Sequence, residues 1–317
     1  MRDIGQWAVS AACALVILAC SGGVGPAEHE RPPWGVALGP NDTVVVVAAG
    51  DIVCGAETPP TFACHHQSTA DLVRTIDPHI VLGLGDLQYE EGSLEDFRRF
   101  YDPSWGSFKA ITFPAVGNHE YETPGAQGYF DYFDGVGADS GRAGRRGAGY
   151  YAVRIGSWLL IALNSNCSHV SCDPGSPQEQ WLRDVLADSM SRCTLAFMHH
   201  PRFSSANRSE PQVSPLWQDL DAAGTDVVLA AHGHHYERLA SLTADGRIDS
   251  LQGIRSFVVG TGGKSSYRFA DRHPASRLVL GGVFGVIRLQ LWNGGYQWEF
   301  VAESSGTVLD RGRSSCH

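Results

Sequence analysis

Lysine is nearly absent from this chain of 317 residues, and arginine supplies almost all of its positive charge. Only Lys109 and Lys264 are present, so a mechanism based on a Schiff base or a lysine nucleophile has few candidates. Cations are also outnumbered, and the formal net charge is −10. This balance disfavours nucleic acid as a partner, because phosphate backbones are bound by clustered Lys and Arg.

Several common catalytic and binding motifs are missing. No cysteines form a CxxC pair, so neither a zinc ribbon nor a thioredoxin-like site is expected. No Gly-x-Ser-x-Gly sequence marks a serine hydrolase. The glycine-rich stretch 260–265 fails the P-loop pattern, since Val258 stands where that motif begins with glycine. We interpret the stretch as a tight turn at the end of a strand.

The N-terminal region has the features of an export signal. Arg2 precedes an apolar run over 7–19, which is too short to cross a bilayer but suits a signal peptide. The run ends in Ile-Leu-Ala-Cys, which resembles a bacterial lipobox with Cys20 as the lipidated residue. An ordinary cleaved signal is the alternative. We therefore expect a signal peptide over 1–19, a flexible tether over 20–43 and a folded domain over 44–317. The protein would be exported and anchored to the membrane only through Cys20, facing the periplasm or cell surface, or else secreted.

Six cysteines remain beyond the signal region, and an even number in an exported protein suggests disulfide bonds. Cys54 with Cys64 and Cys167 with Cys172 are candidate pairs that would close short loops. The remaining pair, Cys193 with Cys316, would then tie down the C-terminal segment. The sequence alone leaves other pairings open.

The rest of the chain alternates apolar, β-branched runs with helical patterns. The predicted strands are 44–49, 80–84, 111–116, 195–198 and 227–231, and each is followed by a short polar loop. The predicted helices are 68–76, 94–100, 178–186 and 216–222, with Ser68 and Ser93 as N-cap candidates. This alternation predicts a mostly parallel, buried sheet, and ligands collect at the carboxyl ends of such strands. From 257 onward, short strands at 257–259, 284–291, 296–301 and 307–309 indicate antiparallel sheet.

The polar loops after these strands contain the side chains of a metal site. The residues are Asp51, Asp86, Tyr89, Asn118, His119, His199, His232 and His234. Such a mixed set of oxygen and nitrogen ligands suits Zn, Fe or Mn. Two metals about 3.5–4 Å apart need a bridging ligand, which a carboxylate provides, and they generate hydroxide at neutral pH.

The order of these residues resembles the calcineurin-like metallophosphoesterase family. The family's motifs occur in sequence as Asp51, Gly85-Asp86, Gly-Asn-His-Glu at 117–120, His199 and His-Gly-His at 232–234. Tyr89, three residues after Asp86, and Tyr-Glu-Arg at 236–238 are similar to the purple acid phosphatase branch. The resemblance spans residues 51–238. It implies an α/β fold, a four-layer α-β-β-α sandwich of two mixed sheets, of the compact single-domain bacterial type.

The resemblance also implies roles for individual residues. Asp51, Asp86, Tyr89 and His234 would bind a first metal, which the Tyr89 phenolate would favour as Fe(III). Asn118, His199 and His232 would bind a second metal, Fe, Zn or Mn, with Asp86 bridging the two. His119 would contact the phosphate and protonate the leaving group, while His200 and Asn118 would also bind substrate. The implied reaction is attack of a metal-bound hydroxide on a small phosphomonoester.

The chain departs from the family pattern at three positions. Ala231 stands where the family usually has glycine before the first histidine of the last motif. His200 adjoins His199, so either could be the ligand, and we favour His199 because it comes first after the strand. His235 extends the last histidine pair, but its spacing excludes it from the ligand set.

Two other functions are compatible with these motifs. A phosphodiesterase acting on cyclic nucleotides or phospholipid head groups would use the same metal centre. A non-catalytic surface protein that only holds metal would be expected to lack one or more ligands, and none is missing here.

Overall fold

The computed structural model describes Met1 and residues 42–56, 64–205, 208–267 and 271–317. The predicted signal peptide, Cys20 and nearly all of the predicted tether lie outside these residues. All of the described strands and helices lie within one compact unit, Pro32–His317. In the part of the chain that is described, no helix has both the length and the apolar character needed to cross a membrane.

The described residues form fifteen strands and five α-helices. The strands are β1 (Val44–Ala49), β2 (Ile80–Leu84), β3 (Thr112–Ala115), β4 (Ser140–Gly141), β5 (Gly144–Arg145), β6 (Tyr151–Ile155), β7 (Trp158–Ala162), β8 (Cys193–Phe197), β9 (Val227–Ala230), β10 (Tyr236–Leu242), β11 (Ile254–Val259), β12 (Ser276–Leu280), β13 (Gly285–Trp292), β14 (Gly295–Ala302) and β15 (Val308–Ser315). The helices are α1 (His66–Ile76), α2 (Leu94–Asp96), α3 (Gln127–Phe133), α4 (Pro177–Ala187) and α5 (Ser214–Ala222).

Two large mixed sheets contain most of these strands. The first has the order β15-β14-β13-β1-β2-β3, with β1, β2 and β3 parallel and the other pairs antiparallel. The second has the order β12-β10-β11-β9-β8-β7-β6, with β7, β8, β9 and β11 parallel. Strands β4 and β5 form a small separate pair. The first sheet is therefore parallel at its β3 edge and antiparallel at its β15 edge, whereas the second sheet has a parallel centre with antiparallel strands at both edges.

Alternating side chains of the second sheet enter two different apolar cores. On β8, Leu195 and Phe197 pack in the core that also contains residues of the first sheet, such as Val46. Ala196, between them, packs in a second core with residues of α4 and α5, including Leu182. On the other side of the molecule, α1 contributes to the core of the first sheet. Because successive side chains of a strand point to opposite faces, one face of the second sheet packs on the first sheet and the other packs on α4 and α5. The helices therefore lie outside two facing sheets, and the predicted four-layer α/β sandwich is confirmed.

The strands that precede the polar loops were predicted well, whereas some other boundaries differ. β1 and β2 have the predicted bounds, and Ser93 is confirmed as an N-cap because its side chain accepts the Asp96 N–H. The prediction for Ser68 is wrong, since α1 begins two residues earlier and Ser68 lies inside it. The predicted helix over 94–100 is a short α-helix followed by a π-helical turn, Phe97–Tyr101.

Two further elements of the second sheet differ from the prediction. The prediction of antiparallel pairing from 257 onward holds for β13, β14 and β15, but β11 runs parallel to β9. The hairpin of β6 and β7 was not predicted. It adds an antiparallel edge strand to the parallel centre of this sheet.

All six cysteines of the folded domain form disulfide bonds in the expected pairs. Cys54 bonds to Cys64 and Cys167 to Cys172, and each pair closes a short loop. Cys193, on β8, bonds to Cys316, which directly follows β15. The third bond therefore links the second sheet to the last strand of the first sheet.

Candidate metal centre

The predicted ligands lie where parallel strands of both sheets end. Asp51 follows β1, Asp86 follows β2 and Asn118 lies in the loop after β3, all in the first sheet. His199 and His232 lie just beyond β8 and β9 of the second sheet. The carboxyl ends of the strands in the two sheets therefore meet at one site, as expected for α/β folds.

Three of these residues have a left-handed backbone. The φ angle is 56° at Asp51, 49° at Asp86 and 62° at His232, although none is glycine. Such conformations are strained in L-residues and cluster at functional sites. Gly85, with φ 82°, precedes Asp86, and a Cβ atom there would lie 2.7 Å from the Cβ of His199. Gly85 thus permits both the left-handed turn before Asp86 and the close approach of His199 from the other sheet.

One group of donor atoms surrounds the Tyr89 hydroxyl. Its oxygen lies 2.7 Å from Asp51 Oδ1, 3.0 Å from Asp86 Oδ2 and 3.3 Å from His234 Nε2. His234 Nε2 is in turn 3.2 Å from Asp51 Oδ1. These four residues are the set that the family resemblance implies for the first metal.

A second group surrounds His199 Nε2. This nitrogen lies 3.1 Å from Asn118 Oδ1, 3.2 Å from His232 Nδ1 and 3.2 Å from Asp86 Oδ2. Asp86 Oδ2 therefore contacts both groups, 3.0 Å from Tyr89 in one and 3.2 Å from His199 in the other. A shared carboxylate oxygen is the arrangement that two adjacent metals require.

The ligand side chains are oriented by contacts that the motifs did not reveal. His199 Nδ1–H donates to the carbonyl oxygen of Leu84 at 2.9 Å, which leaves Nε2 as the ring nitrogen that a metal could bind. His234 Nδ1 contacts the hydroxyl of Ser265, which belongs to the glycine-rich turn after β11. Each partner is far in sequence from the histidine that it contacts, so the motifs did not indicate these two hydrogen bonds.

The buried acids and the burial of the site shift the pKa values of the surrounding groups. Burial alone would lower the pKa of His199, but the charge of Asp86 outweighs it and raises the pKa to about 9. Burial, together with Asp51 and Asp86, raises the pKa of Tyr89 well above its usual value. Burial and the neighbouring His199 lower the pKa of His232 to about 4. Metal cations would displace the protons on Tyr89 and His199, as metal binding to such ligands generally does.

The donor set fits a pair of metal ions. Asp51 Oδ2 is buried and has no hydrogen-bond partner within the described ranges, and a carboxylate oxygen left in that state is costly. Asp51, Asp86 and His199 present ligand atoms within 4.8 Å of one another, and so do His199, His200 and His232. Oxygen ligands on one side and mostly imidazole on the other suit Fe, Zn or Mn.

The remaining predicted residues lie beside these two groups. His119 Nε2 is 4.0 Å from Asp86 Oδ2, and its Nδ1–H donates to the carbonyl oxygen of Glu90 at 2.6 Å. The ring of His200 lies 4.6 Å from that of His232, and its Nδ1 is 2.9 Å from Ser165 Oγ. The structure thus brings both histidines to the centre, as the sequence predicted.

Two departures from the family pattern have simple structural explanations. His235 points away from the ligands, with Nε2 3.2 Å from Glu237 Oε2. Ala231 packs against Gly50, where a Cβ atom would lie only 2.5 Å from that of Ala231. The glycine before Asp51 therefore provides the space that the methyl group of Ala231 occupies.

Comparison with known proteins identifies the family. Residues 44–236 match the family model described as calcineurin-like phosphoesterase, and the chain belongs to this family. It is 29% identical over 251 residues to an uncharacterized protein of Mycobacterium tuberculosis, covering 67% of this chain and 47% of that protein. It is 25% identical over 277 residues to the probable purple acid phosphatase 20 of Arabidopsis thaliana, covering 77% of this chain and 60% of that protein.

A solved structure shows the same fold. The purple acid phosphatase from yellow lupin (Lupinus luteus) seeds matches with a TM-score of 0.72 and 20% sequence identity, covering 88% of this chain and 55% of that one. The chain spans about half the length of the curated relatives that it matches. The resemblance to the purple acid phosphatase branch is thus supported by both sequence and fold.

Proposed function

We propose that this chain is a dinuclear-metal phosphatase that hydrolyses phosphomonoesters. The observation that carries the proposal is the position of Asp86 Oδ2, which contacts Tyr89 on one side and His199 on the other. Two metal ions bound there would supply a water of lowered pKa and neutralise the charge that develops on the phosphoryl oxygens. The family model and the purple acid phosphatase relatives support the same chemistry.

The protein's own residues have separate tasks in this proposal. Asp86 would contribute a carboxylate oxygen to both metals, and Leu84 and Ser265 fix the orientation of two histidines that would be ligands. His119 protonates the leaving group as the ester bond breaks, and its contact with the Glu90 carbonyl keeps Nε2 as the nitrogen that transfers the proton. Asn118 and His200 bind substrate oxygens at the second metal.

Tyr89 supports Fe(III) as the first metal. Its oxygen is the centre of the first group of donor atoms, and a phenolate is a hard anionic ligand that suits a trivalent ion. We expect the iron-loaded protein to show a visible absorption band from the phenolate–iron pair. Tyr89→Phe should abolish this band, and a band unchanged in the variant would contradict the assignment.

The site of action is also part of the proposal. The signal-like segment with Cys20 and the three disulfide bonds support an exported protein, anchored through a lipid or secreted. Its substrate would be a small phosphate ester, and the net charge of −10 argues against nucleic acid.

The decisive experiment compares p-nitrophenyl phosphate with its bis-ester from acid to alkaline pH, using metal-replete protein. We expect hydrolysis of the monoester to dominate, with an acid optimum. Dominant turnover of the bis-ester would instead favour the phosphodiesterase. Turnover of neither substrate, with both metals bound, would leave a metal-holding protein as the explanation.

A further inference from the structure

The Tyr-Glu-Arg run at 236–238 has a structural role on each face of β10. Tyr236 and Arg238 point towards the first sheet, where both bind the carboxylate of Asp310. Glu237 points to the opposite face and is fully buried. β10, which follows the loop with His232 and His234, is therefore held by contacts on both of its faces.

Glu237 fixes a loop beside the metal centre. Its Oε2 accepts the backbone N–H of Ser205 at 2.8 Å, and its Oε1 accepts the Ser205 hydroxyl at 2.6 Å. Glu237 Oε2 also lies 3.2 Å from His235 Nε2. The Ser205 segment is thereby attached to the segment that carries His232 and His234. Arg208 continues this loop, and its backbone N–H donates to the Ser205 carbonyl at 3.3 Å.

The side chain of Arg208 lies next to the ligand histidines. Its guanidinium carbon is 5.0 Å from the ring centre of Tyr267, and the Tyr267 ring stacks on His234 at 4.4 Å, with an angle of 9° between planes. A Cβ atom on Gly233, which separates the two ligands, would lie 3.6 Å from Arg208 Cβ. The contact with an aromatic face holds a guanidinium in position while its N–H groups stay available.

Arg208 and Lys264 are both cations at this edge of the site, but they differ in their ion pairs. Lys264 forms an ion pair with Glu90, and its charge is thereby balanced. Arg208 is half-buried, and none of the ion pairs in the described parts of the chain includes it. An arginine held against an aromatic ring, beside two proposed metal ligands and without a carboxylate partner among the described residues, suits an anionic group of the substrate.

We propose that Arg208 binds a non-bridging oxygen of the substrate phosphoryl group and makes the centre prefer monoester dianions to diesters. The proposal rests on the proposed function, because it concerns the same substrate. A fixed positive charge stabilises a dianion more than a monoanion. The second ester group of a diester also replaces an oxygen that could accept from the guanidinium. Arg208 is thus a specificity residue of this chain.

The test compares Arg208→Gln and Arg208→Lys in the metal-loaded protein, with Arg202→Gln as the matched control. Arg202 is on the same loop and lies over an aromatic ring, but that ring is Phe203 rather than Tyr267. Arg208→Gln should lower kcat/KM for p-nitrophenyl phosphate about ten- to hundredfold, the usual effect of a lost charged hydrogen bond. Turnover of the bis-ester should change by less than about threefold, since the guanidinium stabilises its single negative charge less. Arg208→Lys should restore part of the preference, and Arg202→Gln should match the wild type.

Calorimetric titration with inorganic phosphate provides a readout independent of turnover. Arg208→Gln should weaken phosphate binding by a factor similar to that for the monoester. Equal losses for monoester and bis-ester, or unchanged phosphate binding, would overturn the inference even if the enzyme is active. If the wild type hydrolyses neither ester but binds phosphate through Arg208, the proposed function fails while the anion site stands.

Discussion

The carboxylate of Glu120 holds the backbone of Asp86 in place, with Glu120 Oε2 accepting the Asp86 N–H at 3.0 Å. The same carboxylate accepts the N–H groups of Gly117 at 2.7 Å, Leu87 at 2.7 Å and Gln88 at 3.3 Å. Glu120 is fully buried, so these bonds join the loops after β2 and β3 without competition from water. The residue that bridges the two donor groups is therefore positioned by an acid that touches neither metal site.

Glu120→Gln should destabilise the fold and loosen the centre. An amide offers one acceptor oxygen and turns its NH₂ towards backbone N–H groups, which leaves donors buried without partners. We expect the free energy of unfolding to fall by about 2–4 kcal/mol. Urea denaturation measures this loss, and Glu122→Gln, at an exposed position two residues away, is the control. Equal stability of the two variants would contradict the proposed role.

Asp86→Asn should separate metal binding from folding. The amide oxygen can still accept the His119 N–H, which Asp86 Oδ1 accepts at 2.9 Å, so the loop should keep its shape. The missing charge should reduce the metal content below two ions per chain and lower phosphatase turnover by about a hundredfold or more. Elemental analysis and p-nitrophenyl phosphate assays test both effects, with the exposed Asp71→Asn as the control. Unchanged turnover would refute the dinuclear mechanism.

Metal uptake should release protons and weaken in acid. The pKa of His199 is raised to about 9, mainly by Asp86 acting against burial, so at pH 7 this histidine carries a proton that a metal must displace. Below pH 9, apparent affinity should therefore fall about tenfold per pH unit for each proton released. Titration of the metal-free protein with Zn²⁺ against a chelator at several pH values measures the slope. A slope of zero between pH 6 and 8 would contradict the proton displacement.

Asp310→Asn should destabilise the protein more than a comparable change at the surface. Asp310 Oδ2 accepts hydrogen bonds from Tyr236 at 2.7 Å, Arg238 at 2.8 Å and Trp298 at 3.1 Å. We expect a loss of about 2–4 kcal/mol at pH 7, because Arg238 would keep its charge without a partner. Asp245→Asn, which breaks a solvent-exposed pair with Arg247, should leave the stability nearly unchanged.

The effect of Asp310 should also depend on pH in a defined direction. Burial raises the pKa of this carboxyl, but the hydrogen bonds from Arg238 and Tyr236 outweigh it and hold the pKa below 3.8. Because the folded pKa is lowered, the stabilisation is complete above pH 4 and is lost as the pH falls through the folded value. The difference in melting temperature between wild type and Asp310→Asn should therefore narrow in acid. A difference that widens would show that the carboxylate is not the stabilising form.

The site residues that could be predicted from the sequence are those that directly follow a strand. Asp51, Asp86 and His199 were predicted to follow strands, because a β-branched run and the polar loop after it are adjacent in the chain. The strand order was not predictable in the same way. β13 pairs with β1 although about 240 residues separate them, and that pairing depends on the packing of whole sheets. Arg208 was missed for the same reason, since it reaches the centre from a segment without a recognised motif. The glycine-rich turn that contains Ser265 was recognised as a strand end, but its contact with His234 was not predicted.

The left-handed backbone at Asp51, Asp86 and His232 has a consequence for engineering. Each of these conformations costs on the order of 1 kcal/mol in a residue with a side chain, and glycine would adopt it freely. A library selected only for heat resistance should therefore enrich glycine at these three positions and lose these proposed metal ligands first. Thermal selection of this protein would need a parallel screen for metal-dependent activity. Without that screen, the most stable variants would be inactive.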